Sequence, residues 1–292
     1  MMVSVSLTTY QTKAKHYLDL VKFEHTLFAL PFAYGGMLLA AKGWPGWVTF
    51  FWITLAMVGA RTASMALNRV IDAAIDAKNP RTTNREIPKG ILSKRGALVL
   101  ALLGFTLLVL AGWALNTLTL VLLPVAVFFL SLYPYTKRFT WLCHYWLGLT
   151  IGAAAAGGWI AVSGSFAPTT LALWAGVALW ITGFDIIYAL LDYDFDIQNG
   201  IYSVPARFGK EKALVMSAWL HLLAWMALGL VLPLAGLGYF YALALLIVAG
   251  VLVYAHLLVR EKGVGATLAS FNANLYISSV ILLGIILEVL FY

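Results

Sequence analysis

A single cysteine, Cys143, is all the thiol chemistry this chain possesses. One sulfur excludes an internal disulfide and every cysteine-based metal cage. Charge is scarce too: 11% of the residues are Asp, Glu, Lys or Arg, against roughly a quarter in an ordinary soluble domain. Acids are scarcer than bases, 12 against 19. Apolar surface takes the place of charge, with 62% hydrophobic residues and a mean hydropathy of +0.90. Disordered, collagen-like and soluble globular classes are thereby excluded. The apolar residues come in runs of about 20, enough to cross the roughly 30 Å hydrocarbon core of a bilayer at about 1.5 Å per residue.

Hydropathy places nine transmembrane helices in one domain over 1–292, near 22–41, 47–67, 97–115, 118–136, 141–163, 169–191, 213–232, 236–258 and 270–291. The stretch before the first span lacks the apolar run and cleavage site of a secretory signal, so that span is expected to be retained. Lys and Arg near span ends favour the cytoplasmic face. Of the 19 basic residues, 17 fall before the first span or in alternate connections, all on one side; Lys42 and Arg61 are the others. The expected protein is therefore a multi-pass protein of the cell (inner) membrane, amino terminus cytoplasmic and carboxyl terminus outside. A net charge of +7 then reflects topology and attraction to anionic lipid rather than nucleic-acid binding.

Seven of the 12 acids crowd into two windows at cytoplasmic span ends: Asp72, Asp76 and Glu86, then Asp185, Asp192, Asp194 and Asp196. A charge at the centre of a lipid-facing helix costs about 2.5 to 3.5 kcal/mol, so these groups must face water or each other. Asn68, Asp72 and Asp76 recur every four positions and stack on one helical face. Asp185, Asp192 and Asp196, at offsets of seven and four, share a face too if the helix continues, with Asp194 pointing elsewhere. Like charges on one face raise one another's pKa, so the pattern calls for a bound cation. Oxygen ligands without His or Cys at ligand spacing suit Mg²⁺ or Ca²⁺, and Mg²⁺ is usually shared with substrate phosphates. The loop AKNPRTTNREIPKG after Asp76 carries Arg81 and Arg85, whose paired donors match a diphosphate. Solvated helix ends and an ion or proton relay in a transporter are the competing readings; the position of both clusters at one membrane face counts against the relay. Each acidic window is followed two spans later by a basic pair, which suggests two four-helix halves plus a ninth helix.

NRVIDAAIDAKNPRTTNREIPKG resembles the first aspartate-rich motif of the UbiA superfamily of intramembrane aromatic prenyltransferases, and DIIYALLDYDFDIQNGIYSVPARFG resembles its second. FEHTLFALPFAY and YPYTKRFT extend the similarity over nearly the whole chain, which looks most like the 4-hydroxybenzoate polyprenyltransferase branch and its futalosine-route relative. The resemblance implies nine helices around a central cavity and Mg²⁺-dependent transfer of a polyprenyl group from its diphosphate to an aromatic acid, in ubiquinone or menaquinone biosynthesis. It implies that Asn68, Asp72 and Asp76, with Asp185, Asp192 and Asp196, hold Mg²⁺ and diphosphate, the metal falling to Asn68, Asp72, Asp76, Asp192 and Asp196. Tyr188, Lys137 and Arg138 would position the diphosphate. Many relatives carry Glu where Asp194 stands, so acidity is kept there. The acceptor is 4-hydroxybenzoate or 1,4-dihydroxy-6-naphthoate, with an ion-coupled transporter as the alternative from another class.

Asp185 is a candidate base for the ring proton. Arg61, two turns before Asn68 on the same face, is a candidate for the acceptor's carboxylate. His16, His25, His144, His221 and His256 form no helical ligand pair and read as interfacial or packing residues. Gly35, Gly36, Gly157 and Gly158 read as points of close helix packing.

Overall fold

The structure, a computed structural model, describes residues 15–21 and 28–291. His25, Tyr292 and the segment 22–27 of the expected first span lie outside the described residues. No strand occurs among the described residues. The chain runs through α1 (Leu30–Ala41), α2 (Trp47–Asp76), α3 (Lys94–Leu115), α4 (Thr117–Thr136), α5 (Cys143–Ser163), α6 (Pro168–Ala189), the short α7 (Tyr193–Asn199) and α8 (Val204–Phe208), α9 (Lys210–Ala235), α10 (Tyr239–Lys262) and α11 (Thr267–Phe291). Eight of the described helical segments are long and apolar enough to cross a membrane, and α1 is a ninth, shorter apolar helix. That agrees with the nine spans expected. The protein is an all-α, multi-pass membrane protein.

Packing follows a closed circuit: α2 on α3, α3 on α4, α4 on α5, α5 on α6, α6 on α9, α9 on α10, α10 on α11, α11 on α1, and α1 back to α2. Each acid-bearing helix packs most extensively against the span after it, α2 against α3 and α6 against α9. The internal echo in the sequence thus has a counterpart in packing.

Helix ends are satisfied locally. Asn116 Oδ1 accepts from Thr119 N at 2.9 Å to cap α4, while its Nδ2 donates to the Ile160 and Ala161 carbonyls near the end of α5. One side chain therefore closes two helices. Glu288 on α11 is buried and accepts the Tyr241 N–H at 3.0 Å, placing a carboxylate where the α10 dipole is positive.

Close helix contact is decided at Gly158. A Cβ built there would overlap the Ala33 carbonyl of α1, whereas one at Gly157 meets nothing within 4 Å. Without a hydrophobic drive between helices in lipid, such small-residue contacts carry the association. Gly158→Ala is expected to cost about 1–3 kcal/mol by overpacking. Gly157→Ala should be neutral or gain up to about 1 kcal/mol from helix propensity. Thermal unfolding of the two detergent-solubilised variants checks this; equal melting temperatures would refute the α1–α5 contact.

Candidate active site

The acid stripe belongs to the second span itself. Helix α2 is 30 residues long, about 45 Å at 1.5 Å per residue, and carries Asn68, Asp72 and Asp76 on its last turns. Asp72 is 1% exposed. Its Oδ2 accepts from Lys137 Nζ at 2.6 Å and from Asn68 Nδ2 at 2.9 Å. Its Oδ1 lies 3.0 Å from Arg138 Nη2 yet accepts no hydrogen bond. The Arg138 guanidinium instead donates to the Pro134 and Ile71 carbonyls, both at 2.8 Å, which ties the end of α4 to α2. Asp76 receives Arg85 Nη1 on both oxygens at 2.8 Å.

The loop between α2 and α3 carries the first window to the second. Its fold is local: Asn79 Oδ1 accepts the Arg81 N–H at 2.9 Å, and Thr82 Oγ1 donates to the Asp76 carbonyl at 3.2 Å. This turn aims Arg81 at Asp192. Arg81 Nε donates to Asp192 Oδ1 at 2.9 Å and Nη2 to Oδ2, a bidentate pair, and Asn79 Nδ2 adds a bond to Oδ1 at 2.8 Å. Arg81 Nη1 donates to Tyr188 Oη at 3.0 Å, with the guanidinium 5.2 Å from the ring centroid. Partial burial works against the charge on Arg81, but the hydrogen bonds and proximity to Asp192 outweigh it and leave the guanidinium pKa raised. Arg85 also stands within electrostatic reach of Asp192, and Lys137 of Asp196, so the two acidic windows share their basic neighbours.

The second window departs from the expected single face. After Ala189 the chain makes a 3₁₀ turn, Leu190–Asp192, before α7. The tighter winding re-aims the side chains beyond it. Asp192 meets Arg81, while Asp196 is buried and accepts from Ser203 Oγ at 2.9 Å. Asp185, still on α6, lies 2.7 Å from His144 Nδ1. Asp194 points away to solvent, as its offset implies, 4.0 Å from Lys210. Arg61 sits within α2, two turns before Asn68, in reach of Tyr133 on α4.

Three participants escape sequence reasoning. His144 is buried, as a packing residue is, and in addition pairs with Asp185, 41 positions away. Neither Asn79 nor Ser203 stands out in the sequence, yet each holds an acid of the second window. His221 on α9 also pairs with His256 on α10, at 2.8 Å between ring nitrogens.

The residues fit a Mg²⁺ ion. The donors are hard oxygens, and Asp72 Oδ1 is a buried carboxylate oxygen lacking a hydrogen bond. Among the described residues no three of His, Cys, Asp and Glu gather as a metal cage by themselves. That suits an ion held by one or two carboxylates with phosphate oxygens completing the shell. The carboxylates are meanwhile balanced by Arg and Lys, where the sequence pattern asked for a cation alone.

Residues 29–280 match the UbiA prenyltransferase family. The chain is 33% identical over 260 residues to the 4-hydroxybenzoate octaprenyltransferase of Aliivibrio fischeri, covering 87% of this chain and 89% of that protein. Among solved structures, the apo UbiA homolog from Aeropyrum pernix K1 superposes with a TM-score of 0.84 at 34% identity, covering 91% of this chain and 98% of that one. A UbiA homolog from Archaeoglobus fulgidus, bound to GPP and Mg²⁺, shares the fold with a TM-score of 0.69 at 17% identity, covering 91% and 99%.

Proposed function

The chain belongs to the UbiA prenyltransferase family, and on that premise we propose that it transfers a polyprenyl group from polyprenyl diphosphate to the ring of 4-hydroxybenzoate, with Mg²⁺ as cofactor. The observation that carries this reading is the pairing of acids with bases: Lys137 and Arg138 on Asp72, Arg85 on Asp76, Arg81 on Asp192. Each acid offers oxygens to a metal and each base offers donors to phosphate. A metal diphosphate between them would offer each acid a cation and each base an anion in place of its present partner.

Breaking the allylic carbon–oxygen bond leaves negative charge on the diphosphate and positive charge on the prenyl carbon. Mg²⁺, when bound, would neutralise the former. Asn68, Asp72, Asp76, Asp192 and Asp196 are the set from which the metal would draw its ligands, one or two of them carboxylates. Lys137, Arg138, Arg81 and Arg85 donate to phosphate oxygens as their charge grows, and Tyr188 adds its hydroxyl. The loop carrying Arg81 and Arg85 covers the site and keeps water from the prenyl cation. Arg61, deeper along α2, binds the acceptor's carboxylate and presents the ring. Asp185 takes the ring proton. The site lies on the cytoplasmic side of the inner membrane, amino terminus in and carboxyl terminus out, where the donor's head meets it while its tail stays in lipid.

Incubating the purified protein with a prenyl diphosphate, Mg²⁺ and either 4-hydroxybenzoate or 1,4-dihydroxy-6-naphthoate tests the reading. Pyrophosphate release with a lipophilic product, abolished by EDTA, is expected, and Arg61→Ala should raise the KM for the acceptor while leaving that for the donor. No product from either acceptor, alongside saturable solute uptake by vesicles, would replace the enzyme with a transporter.

A further inference from the structure

The histidine that sequence reasoning set aside has both ring nitrogens engaged. His144 is 3% exposed, near the start of α5. The Val204 backbone N–H donates to its Nε2 at 3.2 Å, and its Nδ1 lies 2.7 Å from Asp185 Oδ2. A backbone N–H can only donate, so Nε2 is the acceptor and carries no proton. The ring proton therefore sits on Nδ1 and donates to the carboxylate. The contacts specify a neutral imidazole in one tautomer.

Val204 is itself held in place. The Tyr202 N–H donates to the Lys137 carbonyl at 2.8 Å, Ser203 Oγ donates to Asp196 and accepts the Ala206 N–H at 3.2 Å, and the Ile201 N–H donates to the Asp196 carbonyl at 2.9 Å. The segment 201–204 thus fastens Lys137, which pairs with Asp72, to Asp196 and, through His144, to Asp185. Asp185 keeps 27% of its side-chain surface open, although α6 and the turns after it are the most enclosed of the eight long segments. With Oδ2 taken by His144, Oδ1 is the oxygen left for a proton.

We propose that His144 is a positioning residue for ring deprotonation: anchored by Val204, it fixes the Asp185 carboxylate so that Oδ1 meets the ring carbon that has accepted the prenyl group. The step balances. The ring carbon's proton passes to Oδ1, and the C–H electron pair returns to the ring and restores aromaticity. His144 does not relay that proton, because its only basic nitrogen is occupied by the Val204 N–H. The proposal rests on the prenyl-transfer reading and on Asp185 as base.

Two measurements test it. Nitrogen-15 NMR of histidine-labelled protein, with His144→Gln used for assignment, should show the neutral Nδ1–H tautomer and reads the geometry without any turnover. An Nε2–H tautomer or a charged ring at neutral pH overturns the proposal. Kinetics of His144→Leu, His144→Gln and Asp185→Asn then read the role. His144→Leu should lower kcat about 10²-fold, the scale of a misplaced catalytic group, with both KM values kept. A kinetic isotope effect with ring-deuterated 4-hydroxybenzoate should appear in this variant and be absent from the wild type, because proton removal becomes slow. His144→Gln, which keeps a donor and an acceptor but cannot carry a proton, should recover most of the lost rate. Adding His144→Leu to Asp185→Asn should cost nothing further. Wild-type kcat without an isotope effect in a folded His144→Leu variant refutes the positioning role, and equal losses in the Leu and Gln variants refute it in favour of a relay. A wild type that yields no prenylated product, with the expected tautomer present, instead refutes the functional reading and with it the task assigned to Asp185.

Discussion

Asp72→Ala is expected to lower kcat for prenyl transfer by about 10³-fold or more, the upper scale for removing one preorganised electrostatic group. The expectation rests on how many functions meet at this carboxylate. Asp72 is the most buried acid of the first window, it orients Lys137 and Arg138, and its Oδ1 lacks a hydrogen bond. On the proposed reading its loss removes a metal ligand and frees two phosphate donors at once. The fold should suffer less. The Lys137 and Arg138 side chains are 28% and 32% exposed, so water can solvate them once their partner is gone. Single-turnover transfer measured beside thermal unfolding separates the two effects. Turnover within about tenfold of wild type would remove Asp72 from the catalytic set, since even one oxyanion-type donor is worth more than that.

The converse change acts on the other property. Lys137→Met combined with Arg138→Met strands the Asp72 carboxylate in its buried site with Asn68 as its remaining hydrogen-bond donor. Breaking a buried pair from one side typically costs about 3–5 kcal/mol, because the surviving charge has neither water nor partner. Part of the loss is the staple from Arg138 to the Pro134 and Ile71 carbonyls, which no ion can replace. The electrostatic part should be recovered by Mg²⁺, which stabilises whichever state it binds in proportion to its concentration over Kd. Unfolding in detergent, with Mg²⁺ compared against Na⁺ at equal ionic strength, should show a Mg²⁺-dependent rise in Tm larger in the double variant than in the wild type. A double variant insensitive to Mg²⁺ would mean that the Asp72 site does not accept the ion.

Hydropathy, the lopsided basic residues and the four-residue spacing of Asn68, Asp72 and Asp76 were legible before any coordinates, because each is carried by one contiguous stretch of chain. Beyond Ala189 that legibility ends. Offsets of seven and four define one face only while α-helical winding persists, and the 3₁₀ turn at Leu190–Asp192 sends Asp185, Asp192 and Asp196 to three different partners. Gly158 and Gly157 differ in the same way on a smaller scale: adjacent glycines are alike in sequence, and only the Ala33 carbonyl of a neighbouring helix tells them apart.

The sequence by itself determined that this chain lives in a bilayer, where its helices run, and that two clusters of acid and one basic loop share one end of the spans. Those are one-dimensional properties of burial cost and helical period. Tertiary structure decided which base meets which acid, Arg81 with Asp192 across 111 positions and Lys137 with Asp72 across 65, and that His144 reaches back from α5 to hold Asp185. Helix adjacency sets those meetings, through backbone-close packing at small residues, and no periodicity along a single helix encodes what stands beside it.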